Sequence, residues 1–397
     1  MTTRHSIAVS LAALFLAGAG ENAGAAGASP TQVEPVDYVR VCDAYGSGFF
    51  YVPGTQTCLR VSGRVRAEYR VRGFGDMASA WDDRTDNSTQ TRARGYARFD
   101  SRSDTEYGLL RTYVEAFLTA DSGATATTTV GIDHAFISLG GFTIGKTQSV
   151  WDYWTGYAYG AIFTDYSNTK LWSVSYTGEL ADGLSATLAI EDNSKRRTNL
   201  VQLGAPATVI ASGGPRMPDI VARLKHDGDW GGAQAMGALH QVMFAAGPGK
   251  TRIGYALGAG VEVKLPVIGP KDRLMLQAIY THGASRYAVD SWDGRISDAI
   301  TDGARTKLTT TWNLVAGLRH EFNAHWAANL EGGWHKVDAL GQAYDFRQIG
   351  VNGNIEWRPV AGLAIGLEGE FRNVDYRAAG LADGNQFVTL VRVQRDF

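Results

Sequence analysis

The chain has 397 residues, of which 44 % are hydrophobic, 11 % aromatic and 20 % charged, and its formal net charge is -2. This near balance excludes a bulk electrostatic attraction to nucleic acid or to acidic partners. The length is compatible with two or three soluble domains or with one long all-β barrel.

Residues 1–28 are predicted to be a signal peptide. A short basic start precedes an apolar run from Ile7 to Ala19, and small residues continue beyond it. This order is typical of export signals, with a small-x-small cleavage site ending at Ala25 or Ala28. The run is too short for a permanent membrane helix, and no later stretch is long and apolar enough to be one.

Residues 29–58 form an N-terminal segment that contains both cysteines of the chain, Cys42 and Cys58. An exported protein meets an oxidising compartment, so we predict a disulfide that closes a small glycine-containing loop. The alternative is a pair of free thiols. Two cysteines without nearby histidines do not complete a tetrahedral metal site.

From Leu59 to Arg72 apolar and polar residues alternate position by position, which predicts a β-strand with one apolar face. The polar face carries five arginines: Arg60, Arg64, Arg66, Arg70 and Arg72. A packed core does not accept so many guanidinium groups, because each needs a partner. This face is therefore wet, facing either bulk solvent or the inside of a pore.

The same alternation recurs in sixteen segments separated by Gly, Asp, Asn and Ser breaks. They begin near Leu59, Ala93, Glu106, Thr129, Phe142, Lys170, Leu184, Met217, Ala233, Arg252, Asp272, Thr310, Trp326, Phe346, Leu363 and Gln386. Short breaks largely alternate with long ones, as in an up-and-down barrel with turns at one rim and loops at the other. We therefore predict that residues 59–397 form an all-β, sixteen-stranded antiparallel transmembrane β-barrel, in which closure satisfies every backbone group.

The arginines continue on the next two segments. Arg94, Arg98 and Arg102 share one face of the second segment, and Arg111 and Glu115 share one face of the third. They are either surface cations on a solvated face or lumen residues of a barrel. An arginine facing lipid at mid-depth costs about 2–4 kcal/mol, so in a barrel we expect them to point inward.

The segment from Val41 to Gly63, VCDAYGSGFFYVPGTQTCLRVSG, closely resembles the start of the alphaproteobacterial general porins of Brucella and Rhizobium type. The chain also ends on Phe397, at the end of an alternating strand, as outer-membrane barrels with a C-terminal assembly signal do. The resemblance implies a trimeric, sixteen-stranded, water-filled channel in the bacterial outer membrane that passes small hydrophilic solutes and ions.

A loop between Ser149 and Thr169 is rich in aromatic residues and contains no lysine or arginine. Its position after the fifth segment is similar to that of the constriction loop of general porins. We expect it to fold inward, with Asp152 and Asp165 facing the arginines across a narrow gap and creating a transverse field. The alternative is an exposed loop that packs against a neighbour in a trimer.

An acidic cluster at Asp82, Asp83 and Asp86 either shares divalent cations with lipopolysaccharide or is ordinary solvated loop charge. The histidines show no metal spacing, and we expect His320, His325 and His335 at the rim or in the lumen. No cofactor is predicted.

The sequence therefore predicts a general diffusion porin without a chemical step. A sugar-selective channel with an aromatic slide and an outer-membrane barrel hydrolase remain the alternatives. The residues predicted to line the pore are Arg60, Arg64, Arg66, Arg94, Arg98, Arg102, Arg111, Glu115, Asp152 and Asp165.

Overall fold

Sixteen antiparallel strands form a closed barrel in the computed structural model, which confirms the predicted fold class. In chain order the barrel strands are β1 (Cys58–Phe74), β2 (Thr89–Thr105), β3 (Gly108–Asp121), β4 (Thr128–Leu139), β5 (Phe142–Gln148), β6 (Lys170–Ala181), β7 (Leu184–Glu191), β8 (Asp219–Gly228), β9 (Gly231–Val242), β10 (Arg252–Lys264), β11 (Arg273–His282), β12 (Thr310–Glu321), β13 (Trp326–Asp338), β14 (Phe346–Trp357), β15 (Leu363–Tyr376) and β16 (Gly384–Asp396).

The structure describes residues 40–75, 88–123, 126–160, 164–204, 207–289, 296–340, 344–377 and 382–397, apart from the side chains of residues 73 and 74. The predicted signal peptide and the acidic cluster at residues 82–86 lie outside these ranges. Residues 41–397 belong to one structural unit.

The barrel closes because β1 pairs with β2 on one side and with β16 on the other. Phe397 completes the seam. Its amide donates to the Gly63 carbonyl at 3.1 Å and its carbonyl accepts from the Gly63 amide at 2.8 Å. The Phe397 ring covers the outward side of Gly63, where a β-carbon would overlap it.

The predicted strand starts agree with the observed ones. Half of them coincide with the first residue of a strand, and the others lie within four residues. The connections alternate as expected: short turns such as 140–141 and 182–183 lie at one rim, and long loops such as 149–169 and 192–218 at the other. We call these the short-turn rim and the long-loop rim.

The faces of the strands are inverted relative to a soluble protein. Val61 and Val65 on the outward face are 53 % and 54 % exposed, whereas inward-facing Glu68, Asn313 and Gln348 are buried. Outward apolar side chains and inward polar ones are what a barrel in lipid requires. Within the described residues, no helix has the length and hydropathy needed to cross a membrane.

Two features lie outside the barrel wall. Cys42 and Cys58 form the predicted disulfide, with Cα atoms 6.0 Å apart, and Phe49 packs against both. At the long-loop rim, a second sheet of four short strands joins two long loops: Leu200–Gln202, Thr208–Ile210, Ala299–Thr301 and Thr306–Leu308. The sequence did not predict this second sheet.

We predict that replacing both cysteines by serine lowers the free energy of unfolding by about 3 kcal/mol, since the open loop gains entropy in the unfolded chain. Urea unfolding followed by tryptophan fluorescence in lipid vesicles measures the change. Ser47→Ala lies within the same loop and leaves the disulfide intact, so it is the control. Equal unfolding midpoints for both variants would contradict the prediction.

Candidate functional site

Inward-facing side chains of β1, β2, β3 and β16 form one continuous charged surface, which we call the arginine wall. Its arginines are Arg60, Arg64, Arg66, Arg70, Arg92, Arg94, Arg98, Arg102, Arg111 and Arg392, and its acids are Glu68, Asp100, Asp104, Glu115, Asp121 and Asp396. All seven arginines predicted from the sequence, and Glu115, are on this surface. Ten arginines against six carboxylates leave it with a positive excess.

Towards the long-loop rim, one buried carboxylate serves three guanidinium groups. Glu68 accepts from Arg392 at 2.6 Å, lies 3.2 Å from Arg66, and is bound by Arg70 as well. Because three guanidinium groups surround the buried Glu68, the removal of any one arginine leaves its carboxylate partly compensated. The cluster fixes the positions of these side chains on the wall.

In the middle of the wall, ion pairs and neutral contacts are mixed. Arg64 binds Asp396 at 2.6 Å and Arg98 binds Glu115 at 2.5 Å. Arg94 instead donates to the Thr119 hydroxyl at 2.6 Å and forms no ion pair with a described carboxylate. The charge of Arg94 is therefore not cancelled locally.

The segment 149–169, which we call the inner loop, turns into the barrel, and its described residues, 149–160 and 164–169, run along the inside of β9 to β15. The strands opposite make room for it with glycines. A β-carbon at Gly260 or Gly317 would overlap Tyr153 or Trp154, and one at Gly366 would overlap Tyr159. Glycine at these strand positions therefore allows the aromatic rings to approach the strands closely.

The strands β10 to β15, which we call the far strands, carry glutamates that hold the backbone of the inner loop. Glu331 on β13 accepts the amides of Tyr157 at 2.8 Å and Ala158 at 3.0 Å. Glu368 on β15 accepts the amide of Tyr159 at 2.5 Å. These bonds satisfy loop amides that would otherwise be buried without partners.

The tyrosine hydroxyls of the inner loop also bind glutamates of the far strands. Tyr157 donates to Glu262 at 2.6 Å, and Tyr159 to Glu356 at 2.9 Å. Burial, reinforced by these neighbouring carboxylates, raises the pKa of Tyr157 and of Tyr159 above the ordinary value. Burial also raises the pKa of Tyr153 to about 12. The phenols therefore remain protonated donors at neutral pH.

The base of the inner loop is held by Arg196, which comes from the long loop after β7 and is fully buried. Its guanidinium donates to the Ser167 hydroxyl at 2.6 Å and lies 3.3 Å from the Asp152 carboxylate. It also stacks over the Tyr287 ring at 4.4 Å. Arg196 thus ties the inner loop to two outer loops.

The two aspartates of the inner loop lie elsewhere than expected. Asp152 is buried at the base, where it accepts the Thr169 amide at 2.7 Å and faces Arg196. Asp165 is buried against the far strands, 2.9 Å from His335 Nε2. Neither faces the arginine wall, so they do not form the expected acidic row: Asp152 is held by hydrogen bonds at the base of the loop, and Asp165 by His335.

Sequence reasoning missed the residues that hold the inner loop in place. Glu356 and Glu368 were visible on the wet face of their segments, but their partners lie about two hundred residues away. Arg196 lies in a loop, so no strand alternation in the sequence predicted its position or its role. The wet face of β13 to β15 was the one signal that pointed to Glu331.

Among the histidines, His335 is buried next to Asp165, whereas His320 binds Asp272 near the short-turn rim at 2.6 Å. His325 is exposed in a short turn. In the described ranges, no three histidine, cysteine or acidic side chains are grouped so as to hold a metal ion.

Residues 29–391 match the family model described as porin subfamily. Porin Omp2b of Brucella neotomae is 35 % identical over 418 residues, which cover 99 % of both chains. The structure is similar to the outer membrane channel DcaP of Acinetobacter baumannii, with a TM-score of 0.70 and 15 % identity over 87 % of this chain and 99 % of that one. It is also similar to OmpT of Vibrio cholerae in its trimer form, with a TM-score of 0.52 and 8 % identity over 86 % and 100 %.

The match to the family model spans nearly the whole chain beyond residue 28, and the barrel has the architecture of the solved channels. The chain therefore belongs to the porin subfamily and is an outer-membrane channel for the passive diffusion of small hydrophilic solutes and ions.

Proposed function

We propose that solutes cross this porin between the arginine wall and the inner loop, and that the path favours anions over cations. One observation carries the proposal: both acids of the inner loop are buried away from the arginine wall. The excess of arginines is then not balanced by acids on the facing loop. Arginine or lysine groups around a narrow pore attract anions and repel cations.

The inner loop is proposed to be the constriction of this path. Its backbone and hydroxyls are bound to Glu262, Glu331, Glu356 and Glu368, so it occupies space inside the barrel in one defined position. A loop held by so many charge-assisted bonds narrows the lumen and limits the size of solutes.

A sugar-selective channel is less well supported. An aromatic slide needs ring faces that are open to the lumen, but Trp151, Trp154 and Tyr166 are buried against the barrel wall. Passage by diffusion needs no chemical step, and turnover assays with ester and lipid substrates test for the barrel hydrolase. Current block that saturates with a single sugar would favour the selective channel.

We also propose that three copies assemble in the outer membrane, in contact with lipid and lipopolysaccharide. Support comes from the trimer form described for OmpT of Vibrio cholerae. Native mass spectrometry in detergent is expected to give three chains per particle. A particle with one chain under conditions that preserve the barrel would contradict this assembly.

We predict that Arg94→Gln shifts ion selectivity toward cations, lowering the chloride-to-potassium permeability ratio by about twofold. Arg94 is chosen because its partners are the neutral hydroxyls of Thr119 and Tyr96, so its replacement leaves no carboxylate unpaired. The reversal potential in planar bilayers under a potassium chloride gradient measures the ratio. Arg395→Gln removes the same charge from the outward face and is the control. An equal ratio in both variants would refute the proposed selectivity.

We predict that Arg196→Met releases the base of the inner loop. The buried carboxylate of Asp152 loses its ion pair, which destabilises the fold by about 3–5 kcal/mol. Single-channel current is expected to become larger and noisier, because the loop moves from its docked position. Arg197→Met is the matched control, since Arg197 donates to the Gly213 carbonyl and not to the inner loop. Identical current traces for the two variants would count against this role of Arg196.

A further inference from the structure

Near the short-turn rim, three arginines surround one buried carboxylate. Asp100 on β2 accepts from Arg102 at 3.2 and 2.9 Å and from Arg111 at 2.9 and 3.0 Å. Arg60 on β1 lies 3.6 Å from the same carboxylate. We call these four residues the Asp100 cluster.

The charges of the Asp100 cluster do not cancel. One carboxylate faces three guanidinium groups, which leaves a net charge of about +2 in a small volume. Asp100 is 2 % exposed, whereas the Arg60 side chain is 40 % exposed, so the positive groups lie on the lumen side. Like charges held this close create a strong local potential for an anion.

Aromatic rings hold the guanidinium groups in place. Phe49 lies 4.9 Å from the guanidinium carbon of both Arg60 and Arg102. Tyr113 and Phe136 lie 5.1 and 5.5 Å from that of Arg111. Phe49 is itself packed on the disulfide, so contacts within the chain hold the cluster in position. Such preorganisation lowers the entropy lost on binding.

The donors of the cluster are not all used. The Nε of Arg60 is buried and has no hydrogen-bond partner among the described residues. Two more acids lie nearby: Glu115 forms an ion pair with Arg98, and Asp104 accepts a hydrogen bond from the neutral phenol of Tyr45. Glu115 is therefore neutralised by Arg98, whereas Asp104 lowers the positive excess of the three arginines without cancelling it.

We propose that the Asp100 cluster is a binding site for a phosphate group, carried by inorganic phosphate or by a small phosphate monoester, at the periplasmic mouth of the pore. Guanidinium forks match the oxygens of phosphate, and a site of charge about +2 suits a dianion better than chloride. Short turns of outer-membrane barrels face the periplasm, so a solute meets this site after the constriction. The inference rests on the proposed anion path.

The test uses inorganic phosphate at pH 8 as the probe in single-channel recordings in potassium chloride. Phosphate is expected to reduce the chloride current and to saturate. Arg60→Gln is expected to weaken this block by roughly tenfold, the loss of a charge-assisted contact. Arg60 is chosen because Asp100 keeps its bonds to Arg102 and Arg111. Arg395 lies at the same rim but on the outward face, so phosphate is expected to block the Arg395→Gln variant as it blocks the wild type.

A small phosphate monoester as a second probe distinguishes the two sources of the phosphate group, and block by either one supports the site. Arg60→Lys keeps the charge but loses the fork, and is expected to give an intermediate block. If Arg60→Gln does not fold, as shown by the absence of the heat-modifiable barrel band on gels, Arg60→Lys takes its place in the test. No saturable block, or equal block in Arg60→Gln and Arg395→Gln, overturns the site. The chloride-to-potassium permeability ratio of the wild type is measured separately, without phosphate. A wild type that does not prefer chloride would refute the proposed function instead.

Discussion

The whole structure depends on one constraint, which is that no backbone amide or carbonyl can be left unpaired in lipid. A sheet satisfies it only by closing, and here the closure lies between β1 and β16, with Phe397 completing the seam at Gly63. Closure also decides the two faces. Outward side chains meet hydrocarbon, so polar groups are confined to the interior.

An interior filled with charged groups needs internal compensation, and the chain supplies it in two different ways. On the arginine wall, carboxylates are interleaved with guanidinium groups but are outnumbered by them. On the far strands, glutamates bind the amides and phenols of the inner loop. The acids of the far strands therefore hold the loop, while the excess positive charge of the arginine wall faces the lumen.

The strands and their faces were predictable from the residues alone. A strand repeats every two residues, so Arg60, Arg64 and Arg66 had to lie on one face, and lipid excluded them from the other. The strand starts were recovered within four residues for the same reason. The positions of Asp152 and Asp165 were not predictable: Asp152 is held by other residues of the irregular loop and by Arg196, and the partner of Asp165, His335, lies 170 residues away. No periodic pattern orders a loop or identifies Arg196 as its anchor.

The sequence by itself determined the barrel, its strand number, the disulfide and the inward direction of the arginines. These follow from local alternation, from cysteine pairing and from the cost of charge in lipid. Only the tertiary structure decided what faces the arginine wall. The inner loop is bound by Glu331 and Glu368, and its aspartates are turned away from the lumen. The binding of the loop by these glutamates depends on bonds between residues about two hundred positions apart, which closure of the barrel brings together.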